Sequence, residues 1–221
     1  YRGKFIRPAG QILSDFDEAR HVVTPFTIPT HWQIVVGIDF GSVHTALIWL
    51  AIDPLTKLHY IFSESLEGDL TTKEHARRAK EKASPFRRIR WFGGAGSEEQ
   101  YRMDWQAETI PVLQPPVKDV EPGIDRIIEL LKNDRLYVFR TCEKVISQMI
   151  EYSRKVNEYG QVTDEIKDKK SYHMVDALRY GVVGLMDVNR VVITKSHPEK
   201  TASAPRRFHA SSNRRSGPVG F

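Results

Sequence analysis

The 221-residue chain contains a single cysteine, Cys142, and one thiol excludes both an intramolecular disulfide framework and a cysteine-rich zinc site. A reducing compartment is therefore expected. No apolar run approaches the roughly 18 residues needed to span a bilayer, and the opening YRGKFIRPAG lacks the hydrophobic stretch of a signal peptide. These absences lead to the expectation of a soluble, intracellular protein with no membrane partner. A glycine-rich GxxxxGK[ST] phosphate loop is missing too, so nucleotide hydrolysis of the P-loop kind is not expected from this chain. Acidic residues are in deficit: 28 Asp plus Glu face 33 Lys plus Arg, a formal charge of +5. That balance favours an anionic partner without identifying it.

With 40% hydrophobic residues the chain can bury one sizeable core, and its start at Tyr1 rather than Met suggests an excised fragment. Residues 1–30 mix short apolar pieces with Pro25 and Pro29 and read as an entry strand and linker. The compact domain is expected over 31–188. QIVVGID is a buried strand, TALIWLAID a second and LHYIFSESL a third, an antiparallel meander joined by short turns. TTKEHARRAKEKA has helix-forming composition with Thr71 or Thr72 as cap, and RIRWF is a short strand ending at Gly93 and Gly94. A helix capped by Ser97, a strand IPVL, a helix PGIDRIIELLK, a possible edge strand LYVF and a long helix CEKVISQMIEYSRKV follow. The polar YGQVTDEIKDKK precedes a closing helix, SYHMVDALRYGVVGLM. This order is that of an α/β ribonuclease-H-like fold, a mixed sheet of three antiparallel strands followed by parallel ones, flanked by helices. From residue 189 to 221 the composition turns basic, with Arg190, Lys195, Lys200, Arg206, Arg207, Arg214 and Arg215 against Glu199, and a flexible tail is expected.

Chemistry is concentrated at two places. VVGIDFGSVHTALIWL puts Asp39 at the end of an apolar strand, where a carboxylate can hold a divalent cation, although a lone Asp there more often starts a turn. In SYHMVDALRYG, His173 and Asp176 are three apart and share one helix face. Both are metal-ligand types, and the apolar residues around them leave little other polar face.

The segments HVVTPFTIPTHW, GIDFG and HMVDALRYG together resemble the large terminase nuclease family over about residues 20–187. The resemblance implies a fold like ribonuclease H and the Holliday-junction resolvases, with two divalent ions, Mn²⁺ or Mg²⁺, cleaving DNA between the strand-end Asp and the last helix. It implies Asp39 and His173 as ligands, and Asp176 as a ligand or as an orienting partner. It further implies double-stranded DNA, a portal protein and a small terminase subunit as partners, a packaging ATPase domain preceding this one, and the host cell cytoplasm as location. The chain departs from the family at Gly94. RIRWF should lie parallel to the first strand, one strand spacing away, and the family carries Asp at its end in a GD motif. Here FGGAGSEEQ offers Glu98, Glu99 or Asp104 as possible substitutes, and an Asp introduced at 94 is expected to restore a ligand.

Two basic regions could contact phosphates. One runs through Lys73, Arg77, Arg78, Lys80, Lys82, Arg87, Arg88 and Arg90; the other, Lys167, Lys169 and Lys170, directly precedes the proposed catalytic helix. Two rivals stand beside the nuclease: a catalytically impaired DNA-binding module, and an ATP-binding domain of the actin and sugar-kinase superfamily, whose first phosphate loop is also similar to GIDFG.

Overall fold

The computed structural model describes residues 9–41, 43–117 and 119–195, those from 186 onward as backbone only. A short helix α1 (Glu18–His21) leads into β1 (Val22–Val23), and then β2 (Gln33–Asp39), β3 (His44–Ile52) and β4 (His59–Gly68) form the meander. After them come α2 (Thr72–Ala83), β5 (Arg88–Gly93), α3 (Glu99–Ala107), β6 (Val112–Leu113), α4 (Val120–Lys132) and β7 (Leu136–Phe139). The chain continues through α5 (Glu143–Glu151), β8 (Arg154–Val156), β9 (Val162–Ile166) and α6 (His173–Lys195).

Seven strands form one sheet in the order β1-β7-β4-β3-β2-β5-β6. The meander pairs antiparallel, while β5 and β6 extend it in parallel on one side and β7 and β1 on the other. The central β2 is covered on both faces, which is why QIVVGID reads as a nearly continuous apolar run. Its Ile34, Val35, Val36 and Ile38 are fully buried. Helix α6 crosses one face, with α4 and α5 beside it, and α2 and α3 cover the other. There Trp49, Trp91 and Trp105 fill the space between sheet and helices.

Several local expectations hold. Thr71 caps α2 in a capping box with Glu74, and the strand through RIRWF ends at Gly93. Others need correcting. LYVF is not an edge strand, because Val22–Val23 pairs with it and covers its outer side. The helix begun at CEKV stops at Glu151: Tyr152 is extended, its ring packs on Tyr172 at 4.9 Å, and Arg154–Val156 pairs with β9 instead. Ser97 caps nothing; it lies inside a 3-10 turn, Gly96–Glu98. Helix α6 continues to Lys195, past the change of composition after Asn189, and the basic tail beyond it lies outside the described residues. Among the described residues no helix is long and apolar enough to cross a membrane.

Candidate active site

Side chains alternate along β2, so Val35, Gly37 and Asp39 share the face turned toward α6. The helix lies so close over this face that a Cβ on Gly37 would come within 1.9 Å of the Ala177 carbonyl oxygen. From the helix side, a Cβ on Gly181 would meet Leu50 Cδ1 at 2.9 Å and the Gly37 backbone at 3.4 Å. Glycine opposite glycine lets helix and strand approach, and the first turn of α6 then falls over the end of β2.

At that end His173 Nδ1 is 2.8 Å from Asp39 Oδ2. Both side chains are only partly open to solvent, 30% for His173 and 15% for Asp39. The hydrogen bond to Asp39, with the charges of Asp39 and Asp176 behind it, holds the His173 pKa above its ordinary range in spite of partial burial. One turn along the helix, Asp176 Oδ1 accepts from Arg179 Nη2 at 3.0 Å and Nε at 3.2 Å. Arg179 is 4% exposed. Its stem occupies the space left by Gly123 on α4, where a Cβ would sit 2.3 Å from Arg179 Cγ. Burial raises the Asp176 pKa, and the Arg179 charge opposes that rise.

The expected neighbour of Asp39 on β5 is in register. Ile38 pairs with Gly93, and the Gly94 amide donates to the Ile38 carbonyl at 3.2 Å. Gly94 has φ +78°, however, and a Cβ there would meet Arg102 Nη1 at 2.8 Å, Phe40 Cδ2 at 3.0 Å and Glu98 Oε2 at 3.2 Å. An Asp at 94 would therefore be strained and crowded, which argues against its restoring a ligand. Of the three candidate substitutes, Glu99 is exposed and Asp104 accepts from Gln100 along α3 at 2.8 Å. Glu98 differs: burial raises its pKa, and the carboxylates of Asp39 and Asp176 raise it further. Sequence reading missed two residues near these groups. His44, at the start of β3, brings its ring to 6.4 Å from that of His173, and Arg179 holds Asp176. The signal for Arg179 was present in the three-residue spacing within DALR.

Among the described residues no group of three or more His, Cys, Asp or Glu side chains stands converged as a metal site. Asp39 and His173 are bonded to each other and Asp176 to Arg179. The donors nonetheless fit a divalent cation chemically, since carboxylate oxygens and an imidazole nitrogen are the ligand types of Mn²⁺.

The two basic regions fare differently. Lys167, Lys169 and Lys170 are exposed just before α6, and the Lys169 charge acts on Asp176. Lys167 lines a surface cavity of about 510 Å³ with Arg154 and Lys155. Arg87 and Arg88 lie at the opposite end of β5, where Arg88 pairs with Gln33, about 17 Å from Gly93 at the usual strand rise. In the helix before them Lys73 pairs with Glu108, Arg77 with Glu81 and Arg78 with Glu67. Lys82 stacks on Trp49. Three cations of that helix are thus paired with acids, and Arg87 and Arg88 stand at the far end of β5 from Asp39.

No family model and no curated protein matches the sequence. The sheet and its flanking helices nevertheless define a ribonuclease-H-like fold. Large terminases of bacteriophages are among the solved structures that share it. The large terminase of a thermophilic bacteriophage superimposes with a TM-score of 0.69 at 19% identity, over 83% of this chain and 47% of that one. The chain thus spans about half the length of that protein. The P22 large terminase nuclease domain gives 0.63 at 22% identity, over 80% of this chain and 93% of that domain. The large terminase nuclease domain of bacteriophage SPP1 with bound Mn gives 0.58 at 17% identity, over 73% and 94%.

Proposed function

We propose that the chain is a divalent-metal-dependent endonuclease that cuts concatemeric double-stranded viral DNA during genome packaging, with weak sequence preference. The observation that carries it is the meeting of Asp39 from β2 with His173 from α6, on a fold shared with terminase nuclease domains, one of them holding Mn. Asp39 and His173 would hold the metal, and Asp176 would be a ligand or orient one. Asp39 and His173 would bind it in place of the hydrogen bond they share, which requires His173 Nδ1 to carry no proton. Two divalent ions, when bound, supply Lewis-acid activation of a water and stabilise the leaving 3′ oxygen. The water oxygen then bonds to phosphorus as the P–O3′ bond breaks, leaving a 5′-phosphate and a 3′-hydroxyl. Lys167, Lys169 and Lys170 hold backbone phosphates beside the site, without reading bases.

An imidazole in the ligand set favours Mn²⁺ over Mg²⁺. A packaging ATPase domain on the same full-length chain, a portal protein and a small terminase subunit are the partners that this function requires. An ATP-binding role would need a second phosphate-binding subdomain, and the described residues form one seven-stranded sheet and one hairpin. Gly94 keeps one other reading in view, a DNA-gripping module with impaired cutting. Nicking of supercoiled plasmid in Mn²⁺ and in Mg²⁺, run beside ATP binding, separates the three. Cutting in Mn²⁺ without ATP binding is expected; DNA binding without cutting would favour the impaired module.

A further inference from the structure

Gly94 leaves a carboxylate missing at the strand end beside Asp39, yet the space next to it is not apolar. The chain turns back after β5 through the 3-10 turn Gly96–Glu98, and this brings Glu98 over the end of the strand. Glu98 Oε2 sits 3.2 Å from where a Cβ of residue 94 would stand, and accepts from the Ala95 amide at 2.5 Å. Arg102 Nη1 fixes the same turn from α3, donating to the Ala95 carbonyl at 2.9 Å and to that of Gly93 at 3.4 Å. A side chain at 94 would have to displace the ends of Arg102 and Glu98 and adopt a left-handed backbone. The positive φ of Gly94 and the position of Glu98 are therefore one arrangement, in which a longer side chain from the next turn arrives where a shorter one from the strand end is excluded.

Resting on the metal-dependent reading above, we propose that Glu98 is the third carboxylate of the divalent-cation site, facing Asp39 and Asp176 in place of an acid at 94. Two divalent ions carry four positive charges, and Asp39 and Asp176 offset two, with Arg179 drawing on one of those. A third carboxylate from Glu98 improves that balance. Arg102 and the Ala95 amide hold the turn that places it, together with the left-handed backbone that glycine adopts freely at 94.

The test is a calorimetric Mn²⁺ titration of the 221-residue protein and of Glu98→Gln, Glu99→Gln and Asp39→Asn, with thermal melts of each. Gln keeps an oxygen for the Ala95 amide, so a purely local role for Glu98 would survive that change. The expected result is that Glu98→Gln weakens Mn²⁺ binding by about tenfold or more, that Glu99→Gln leaves it unchanged, and that Asp39→Asn loses it. Should Glu98→Gln melt early, Glu98→Asp retains charge and turn but retracts the carboxylate by one methylene, and binding between wild type and Asp39→Asn is expected. If Asp39→Asn loses Mn²⁺ while both Glu98 variants bind like wild type, Glu98 is no ligand and the site stands without it. If wild type binds no Mn²⁺ at all, the metal-dependent reading falls and Glu98 with it.

Discussion

Asp39 and His173 are 134 positions apart in sequence and 2.8 Å apart in the structure. The contact has opposite consequences for the empty protein and for the metal-loaded one. A His whose pKa is raised by folding contributes stability below the ordinary value near 6.5 and loses it as pH rises through the folded value. Metal binding runs the other way, because the same proton must leave before Nδ1 can ligate. Melting of the metal-free protein should therefore weaken, relative to His173→Gln, as pH rises above about 6.5, while Mn²⁺ affinity should rise over the same window. Affinity independent of pH there would show that His173 is not a ligand.

Arg179 is almost fully buried and its bonds go to Asp176. Arg179→Met should leave the Asp176 carboxylate poorly paired and cost about 3 kcal/mol or more, read as a shift of the urea midpoint at constant m. A loss of only a few tenths would mean that Asp176 finds water instead.

At Gly94 an Asp must adopt φ near +78° and displace Arg102 or Phe40. Gly94→Asp should destabilise the fold by about 1–2 kcal/mol from the backbone alone, without tighter Mn²⁺ binding. A stable variant that bound Mn²⁺ more tightly would show that the loop re-forms around the new acid.

Exposed Lys169 and Lys170 stand at the entrance to α6. Replacing both by Ala should lower the log–log salt slope of DNA binding by about 2, uniformly across sequences. The Arg87→Ala, Arg88→Ala pair, at the far end of β5, should leave the slope unchanged.

The meander and the parallel pairing of β5 with β2 were legible because β2, β3 and β4 are apolar runs separated by short turns, and RIRWF follows a clear helix. His173 and Asp176 are singled out by their spacing and Asp39 by its place at a strand end, and the structure brings Asp39 and His173 together; their roles as ligands come only from the resemblance. What escaped was set by tertiary contacts. The helix through EYSRKV keeps amphipathic spacing, but Tyr152 turns away to pack on Tyr172. LYVF is too short to reveal that Val22–Val23 lies outside it. That Glu98, rather than Glu99 or Asp104, comes against Gly94 depends on the left-handed backbone there and the 3-10 turn after it. No periodicity marks either.

Nicking of supercoiled plasmid by wild type and by Asp39→Asn, in Mn²⁺ and in chelator, tests the central claim most directly. Wild type should relax the plasmid only in Mn²⁺. Asp39→Asn, with an unchanged melting curve after allowance for the lost His173 pair, should cut at least about a hundredfold more slowly. Cutting by Asp39→Asn at the wild-type rate, or by wild type in chelator, would contradict the assignment of the site.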